Sequence, residues 1–321
     1  MNASSNRLGL SYSAVAVLFW GMLPIALKLS GGFIDAVSLT WLRFIFALVA
    51  TFMMQYMLRQ LGQFARLQKR DWLRLAGAGV FLIMNYVTFV MGLKYLSPGT
   101  AQLNFQVAPF FLAFGGLLFF RERISALQLT CFAALAAGML MFFHPHLHFG
   151  GSDSSGLLAG VLIIQFSAFC WASYALLQKS LLAKLSPNNV MLCIFALGTV
   201  VMAPATDFSA FGRMSLPDWS IALFCAVNTL VAYGTFGQAM RYWPTAQVSA
   251  MVALTPVLSF SLTELAVDMG WWPEMIKGNS LDWLSISGIG MIVLAVMAMQ
   301  LLPLYLSRRS RRAAQMAMKT A

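Results

Sequence analysis

Charge is the first thing this sequence has little of. Only 10% of its 321 residues are Asp, Glu, Lys or Arg, and 60% are hydrophobic; a soluble domain carries nearer ~25% charge. That balance excludes an ordinary water-soluble protein and leaves a multi-span membrane protein. Acid is scarcer still: 10 Asp and Glu stand against 21 Lys and Arg, a net charge of +11. Nucleic-acid binders are also basic, but here the cations sit in short segments between apolar runs and in the C-terminal tail. A membrane surface explains them, and no nucleic-acid partner is expected. Cysteine is rare as well. Cys131, Cys170, Cys193 and Cys225 fall inside apolar runs without metal spacing or a paired framework, and read as packing residues. The three histidines, His144, His146 and His148, share one linker with no other ligand nearby, which is a weak metal signal. No G-x-x-x-x-G-K-[ST] loop occurs. No metal or cofactor is therefore expected, and ATP drive by this chain is unsupported.

What the sequence does have is apolar length. Runs able to cross a hydrocarbon layer of about 30 Å recur about ten times, near 8–28, 36–58, 73–93, 98–120, 125–143, 157–178, 188–206, 219–240, 244–266 and 283–305. Lipid cannot satisfy an exposed backbone, and nothing here alternates like a barrel strand, so the runs predict helices. Lys and Arg set the orientation. With the N-terminus inside, Arg59, Arg66, Lys69, Arg70 and Arg74 are cytoplasmic, as are Lys179, Lys184 and the Arg-rich tail. The outer segments keep only Lys28, Lys94, Arg213 and Lys277. This bias places both termini in the cytoplasm.

The chain also repeats itself. Tyr86, Thr88, Phe89, Lys94 and Tyr95 meet Tyr233, Thr235, Phe236, Arg241 and Tyr242 at one constant offset, and Pro109 meets Pro256 at the same offset. Trp20 and Lys28 likewise match Trp171 and Lys179. The expected fold is an all-α membrane protein of ten transmembrane helices, arranged as two inverted five-helix repeats. Residues 1–143 form the first repeat, 144–156 an outer (periplasmic) Gly/Ser-rich linker, 157–306 the second repeat and 307–321 a basic cytoplasmic tail. Five spans is an odd number, so the halves must insert upside down relative to one another, a common plan among secondary transporters.

Trp20-Gly21, Leu42-Arg43-Phe44, Lys94-Tyr95, Pro109 and Glu122 together resemble the EamA-type family of the drug/metabolite transporter superfamily. In that family a proline in the fourth helix precedes an acid that closes it. The likeness covers nearly the whole chain as two copies. The second copy departs from it, because Glu264 follows Pro256 too soon and a long outer segment, 267–282, replaces a tight turn. The resemblance implies movement of small metabolites, amino acids or drug-like compounds, often outward, across the cytoplasmic (inner) membrane. A channel, or a non-transporting scaffold or sensor, is the alternative. An embedded enzyme lacks the convergent acids and bases it needs. The solute and membrane lipid are the expected partners, and the oligomeric state is left open.

Intramembrane polar side chains are the candidate site. Asn85 and Thr88 share a face of the third span, and Gln102 and Gln106 a face of the fourth. Trp171 and Tyr174 with Ser167 and Gln178 form a stripe on the sixth, and Asn228, Thr235 and Gln238 a stripe on the eighth. Trp20 joins them by its repeated position. These groups either line a shared cavity or bond helix to helix. Arg43 reads as an anion-binding group or as a snorkelling residue paired near Asp35, the reach of its stem favouring the second. Glu264 reads as a proton-coupling group or as a water-exposed helix end, the second again favoured. Glu122 is expected to orient the inner surface. Pro24, Pro109 and Pro256 are expected to kink their helices.

Overall fold

The computed structural model describes residues 3–92, 95, 101, 104–122, 124–144, 154–276, 282–299 and 302. Among them no strand occurs. The α-helices of eight residues or more among the described residues are α1 (Ala3–Ser30), α2 (Ala36–Met57), α3 (Lys69–Gly92), α4 (Ala108–Phe120), α5 (Ala126–Phe143), α6 (Ser154–Leu181) and α7 (Pro187–Met202). They continue with α8 (Leu216–Tyr242), α9 (Thr245–Val252), α10 (Thr255–Asp268) and α11 (Trp283–Met299). Among the described residues seven stretches are long and apolar enough to cross a membrane, α9 and α10 counting as one. Three shorter apolar helices, α4, α5 and α11, overlap the other predicted spans. Large apolar side chains face outward, Leu118 at 74% exposure and Val200 at 73%, which is tolerable only against lipid.

Helix starts follow from local sequence. The Asp35 carboxylate accepts from the Val37 and Ser38 amides at 2.9 and 3.0 Å, capping α2, and Ser186 caps α7 at the matching place. Capping boxes at Ser125–Gln128 and Ser215–Asp218 open α5 and α8.

Two of the expected kinks are instead helix starts. Pro109 sits in the first turn of α4 and Pro256 in the first turn of α10, each just after a turn at Gln106-Val107 or Ala253-Leu254. A proline lacks the N–H a helix interior needs, but the first turn does not use that group, so the chain breaks and restarts at each site. Pro24 stays inside an unbroken α1.

The packing pairs equivalent elements twice over. α1 lies on α8 and α3 on α6; α1 lies on α10 and α4 on α6; α2 lies on α8 and α7 on α3. Side chains at matching positions touch one another: Trp20 meets Trp171 with ring centres 5.8 Å apart, Phe44 meets Phe195 at 5.7 Å, and Tyr86 meets Tyr233 at 6.2 Å. α5 and α11 approach through glycine. A Cβ on Gly288 would stand 2.5 Å from the Phe142 nitrogen and 2.6 Å from the Gly138 carbonyl, the small-residue contact that lets membrane helices close up.

Candidate functional site

A cavity of about 350 Å³ opens between the halves. The exposed Lys28 and Gly31 mark its mouth at the turn joining α1 to α2, where Ser30 and Ile34 also contribute. Further in, the wall is apolar and aromatic, with Leu23, Phe89, Phe105, Trp20, Trp171 and Tyr233. Both helix breaks reach it: Gln106 and Pro109 flank the first, Val252 and Thr255 the second.

Arg43 also lines the cavity and is only 3% exposed. This corrects the expectation of snorkelling or pairing near Asp35. Its Nε donates to Thr229 Oγ1 at 2.7 Å and Nη2 to the Tyr86 hydroxyl at 3.2 Å, with the guanidinium 4.9 Å from the Tyr86 ring centre. The Asp35 side chain is engaged in capping α2. No ion pair among the described residues includes Arg43.

Of the other candidates, Trp20, Asn85, Gln106 and Trp171 line the cavity. Gln102 lies outside the described residues. Thr88, Tyr174, Asn228, Thr235, Gln238 and Glu264 are not part of its wall. The reasons are local. Thr88 and Thr235 return their hydroxyls to the carbonyls of Met84 and Val231, each at 2.7 Å. The Asn228 amide is held by the Phe19 carbonyl, tying α8 to α1. Tyr174 is fully buried, its hydroxyl 3.4 Å from Met191 Sδ. Gln238 and Glu264 are half-buried on α8 and α10. Asn85 serves two roles: it faces the cavity while its Nδ2 donates to Ser167 Oγ at 2.9 Å, joining α3 to α6. His144 pairs with Asp282 at 2.9 Å, and His146 and His148 lie outside the described residues. Lys28, Tyr86, Tyr233 and Thr255 were missed as cavity residues. The recurring tyrosines and the Thr-Pro before the second break were the available signals.

The far end of α1 is sealed. α1 and α8 run antiparallel, Tyr12 stacking on Tyr242 and Trp20 meeting Tyr233 edge to face. Position 9 therefore lies against Trp243, about 30 Å from the mouth by helix rise. There Arg121, in the left-handed region at φ 51°, closes α4 and turns Glu122 toward the second half. Glu122 Oε1 takes the Lys179 ammonium at 2.5 Å. Its Oε2 accepts from the Thr245 amide at 2.9 Å and from the Thr245 hydroxyl. The carboxylate thus joins α4 to the end of α6 and the positive start of α9. Gly116 makes the approach possible, since a Cβ there would fall 1.7 Å from Thr245 Oγ1. Beside this lies a second cross-link. Gln55 Nε2 donates to Asn189 Oδ1 at 2.8 Å, and Asn189 Nδ2 to the Gln60 carbonyl and Gln63 Oε1 at 2.9 and 3.0 Å.

Paired helices, two broken spans and a cavity bordered by both breaks describe a multi-span membrane protein. The chain belongs to the EamA-like transporter family, which matches it twice, over residues 7–144 and 158–301. It is 28% identical over 293 residues to "Uncharacterized inner membrane transporter YhbE" of Escherichia coli (strain K12), covering 90% of each chain. An "Uncharacterized transporter" of Haemophilus influenzae is 27% identical over 262 residues, 81% of this chain and 84% of that protein. A solved structure described as "Crystal structure of protein" shares the fold at TM-score 0.73 and 17% identity, covering 95% of this chain and 99% of the other. The protein is a membrane transporter.

Proposed function

We propose that the chain is a secondary active transporter that exports small metabolites across the cytoplasmic membrane by alternating access. Its ten spans form two inverted repeats, 1–143 and 157–306, joined outside by 144–156, with both termini cytoplasmic. The observation that carries this reading is the cavity between the halves. Both broken helices border it, and a cross-half cluster shuts the end opposite its mouth. Discontinuous helices at a site between repeats are a recurring carrier device. The two matches to one family and the paired packing support duplication, and the lysine and arginine bias supports the orientation.

On this reading the mouth faces outward and Glu122–Lys179–Thr245 is the closed inner gate. Lys28 stands in α1 where Lys179 stands in α6, and makes none of the described ion pairs. In the opposite state the mouth closes with Lys28 in the place of Lys179 and Asp268, the last residue of α10, in that of Glu122. The test is counterflow in proteoliposomes against radiolabelled amino acids and organic acids. Saturable, trans-stimulated flux that falls in Trp171→Ala at normal expression is expected. Flux without saturation or trans-stimulation overturns the carrier reading.

A further inference from the structure

Arg43 is charged and buried, and no acid among the described residues pairs with it. A guanidinium offers five N–H donors, and the hydrogen bonds described for Arg43 go to two neutral hydroxyls. Buried charges are ordinarily paired, and the open side of this one is the cavity. Among the described residues the wall holds two charged side chains, Arg43 and Lys28, both cationic, and no acid. α4 and α10 begin at the wall, adding two positive helix ends. A buried hydroxyl on the same wall, Thr255 Oγ1, has no hydrogen-bond partner among the described residues and can donate to an anion. The arrangement is confined to one half: counting from the equivalent caps Asp35 and Ser186, Ile194 occupies the place of Arg43. Symmetric packing does not call for this arginine.

We infer that the cavity takes an organic monocarboxylate with an aromatic or similarly bulky apolar body. The carboxylate lies on the Arg43 fork, where two parallel N–H bonds match its geometry. The ring rests among Trp20, Phe105 and Trp171. Lys28 at the mouth draws the anion in. A zwitterion is the poorer ligand, because its ammonium group finds no acid and lies in the field of two cations. An amine is excluded. The cavity of about 350 Å³ suits a body of this size. This inference rests on the transport reading, which makes the cavity the solute site.

The test uses three compounds with one ring and three net charges: 3-phenylpropionate, phenylalanine and phenethylamine. Each is titrated against the purified full chain, with calorimetry and thermal shift as readouts. 3-Phenylpropionate is expected to bind and raise the melting temperature, phenylalanine to bind about tenfold or more weakly, and phenethylamine not to bind. Arg43→Gln weakens 3-phenylpropionate by about 30-fold or more, the lower end of what losing one partner of a buried charge pair costs. Arg43 also holds Thr229 and Tyr86, so Gln106→Glu provides a second arm that leaves those bonds in place. It abolishes anion binding and admits phenethylamine. Binding of phenethylamine by the unaltered protein overturns the inference, as does undiminished 3-phenylpropionate binding in both variants. Binding of 3-phenylpropionate without counterflow leaves the ligand class standing and removes the transport reading. Saturable flux of another solute, insensitive to 3-phenylpropionate, does the reverse.

Discussion

Removing the Glu122 charge opens the sealed end, and the size of the effect follows from the contacts. In Glu122→Gln the Lys179 ammonium loses its ion pair, and the two Thr245 bonds lose their charge assistance. The side chains are 19% and 15% exposed, so solvent screens the pair only in part. Charged hydrogen bonds contribute about 1.5–3 kcal/mol each, and an amide recovers a share of that. A net loss of about 2–3 kcal/mol shifts a two-state equilibrium by roughly 30- to 150-fold. The assay is a single cysteine at Leu27, a wall position near the mouth, in a background lacking the four native cysteines. Labelling by a membrane-impermeant maleimide added outside cells should fall in Glu122→Gln as the mouth closes. Lys179→Gln should reproduce the fall, and the double variant should add little, because both changes break one contact. Unaltered labelling in both single variants refutes the gate.

Other outcomes follow from the same structure. Asn189→Ala leaves the buried Gln55 amide only its longer bond to Ser186 Oγ at 3.2 Å and removes the bonds to Gln60 and Gln63, and should lower stability by about 1–3 kcal/mol in thermal unfolding of the purified protein. Gly288→Val forces α5 and α11 apart at a backbone contact and should cost about 1–3 kcal/mol, with Gly290→Val, beside which a Cβ meets nothing, as the neutral control. Asp282 has its carboxyl held below the ordinary carboxylate range by the Ser285 amide and hydroxyl, and by His144. Its stabilising contribution is therefore present above the unfolded pKa near ~4 and is lost as pH falls through the lower folded value. The melting temperature of Asp282→Asn should accordingly fall less than that of the unaltered protein between neutral pH and strong acid.

Apolar length was enough to find an all-helical membrane protein, and the return of Trp20, Tyr86 and Pro109 as Trp171, Tyr233 and Pro256 agrees with a family match that occurs twice along the chain. The consequence of the prolines was not legible. A proline interior to an apolar run looks like a kink, and only the turn ahead of it shows that a new helix begins. The eighth-span stripe of Asn228, Thr235 and Gln238 had the right period but faced its neighbours. Polar spacing marks a face without saying what covers it. The cavity wall itself is mostly Leu, Phe and Trp, the same residues that meet lipid elsewhere, so composition cannot separate the two. Arg43 stood out from the start, and the reach of its long stem made an interfacial position the favoured reading over a buried one. The Gln55–Asn189 link is spread over two helices in different halves, and neither residue alone signals it.

The central claim is that the two halves are equivalent and oppositely inserted, and single cysteines at Gly32 and Ala183 test it most directly. These exposed positions occupy matching places in the turns that close α1 and α6. The account expects an impermeant maleimide to label Gly32→Cys from outside intact cells and Ala183→Cys only from the cytoplasmic face. Labelling of both from one face contradicts it.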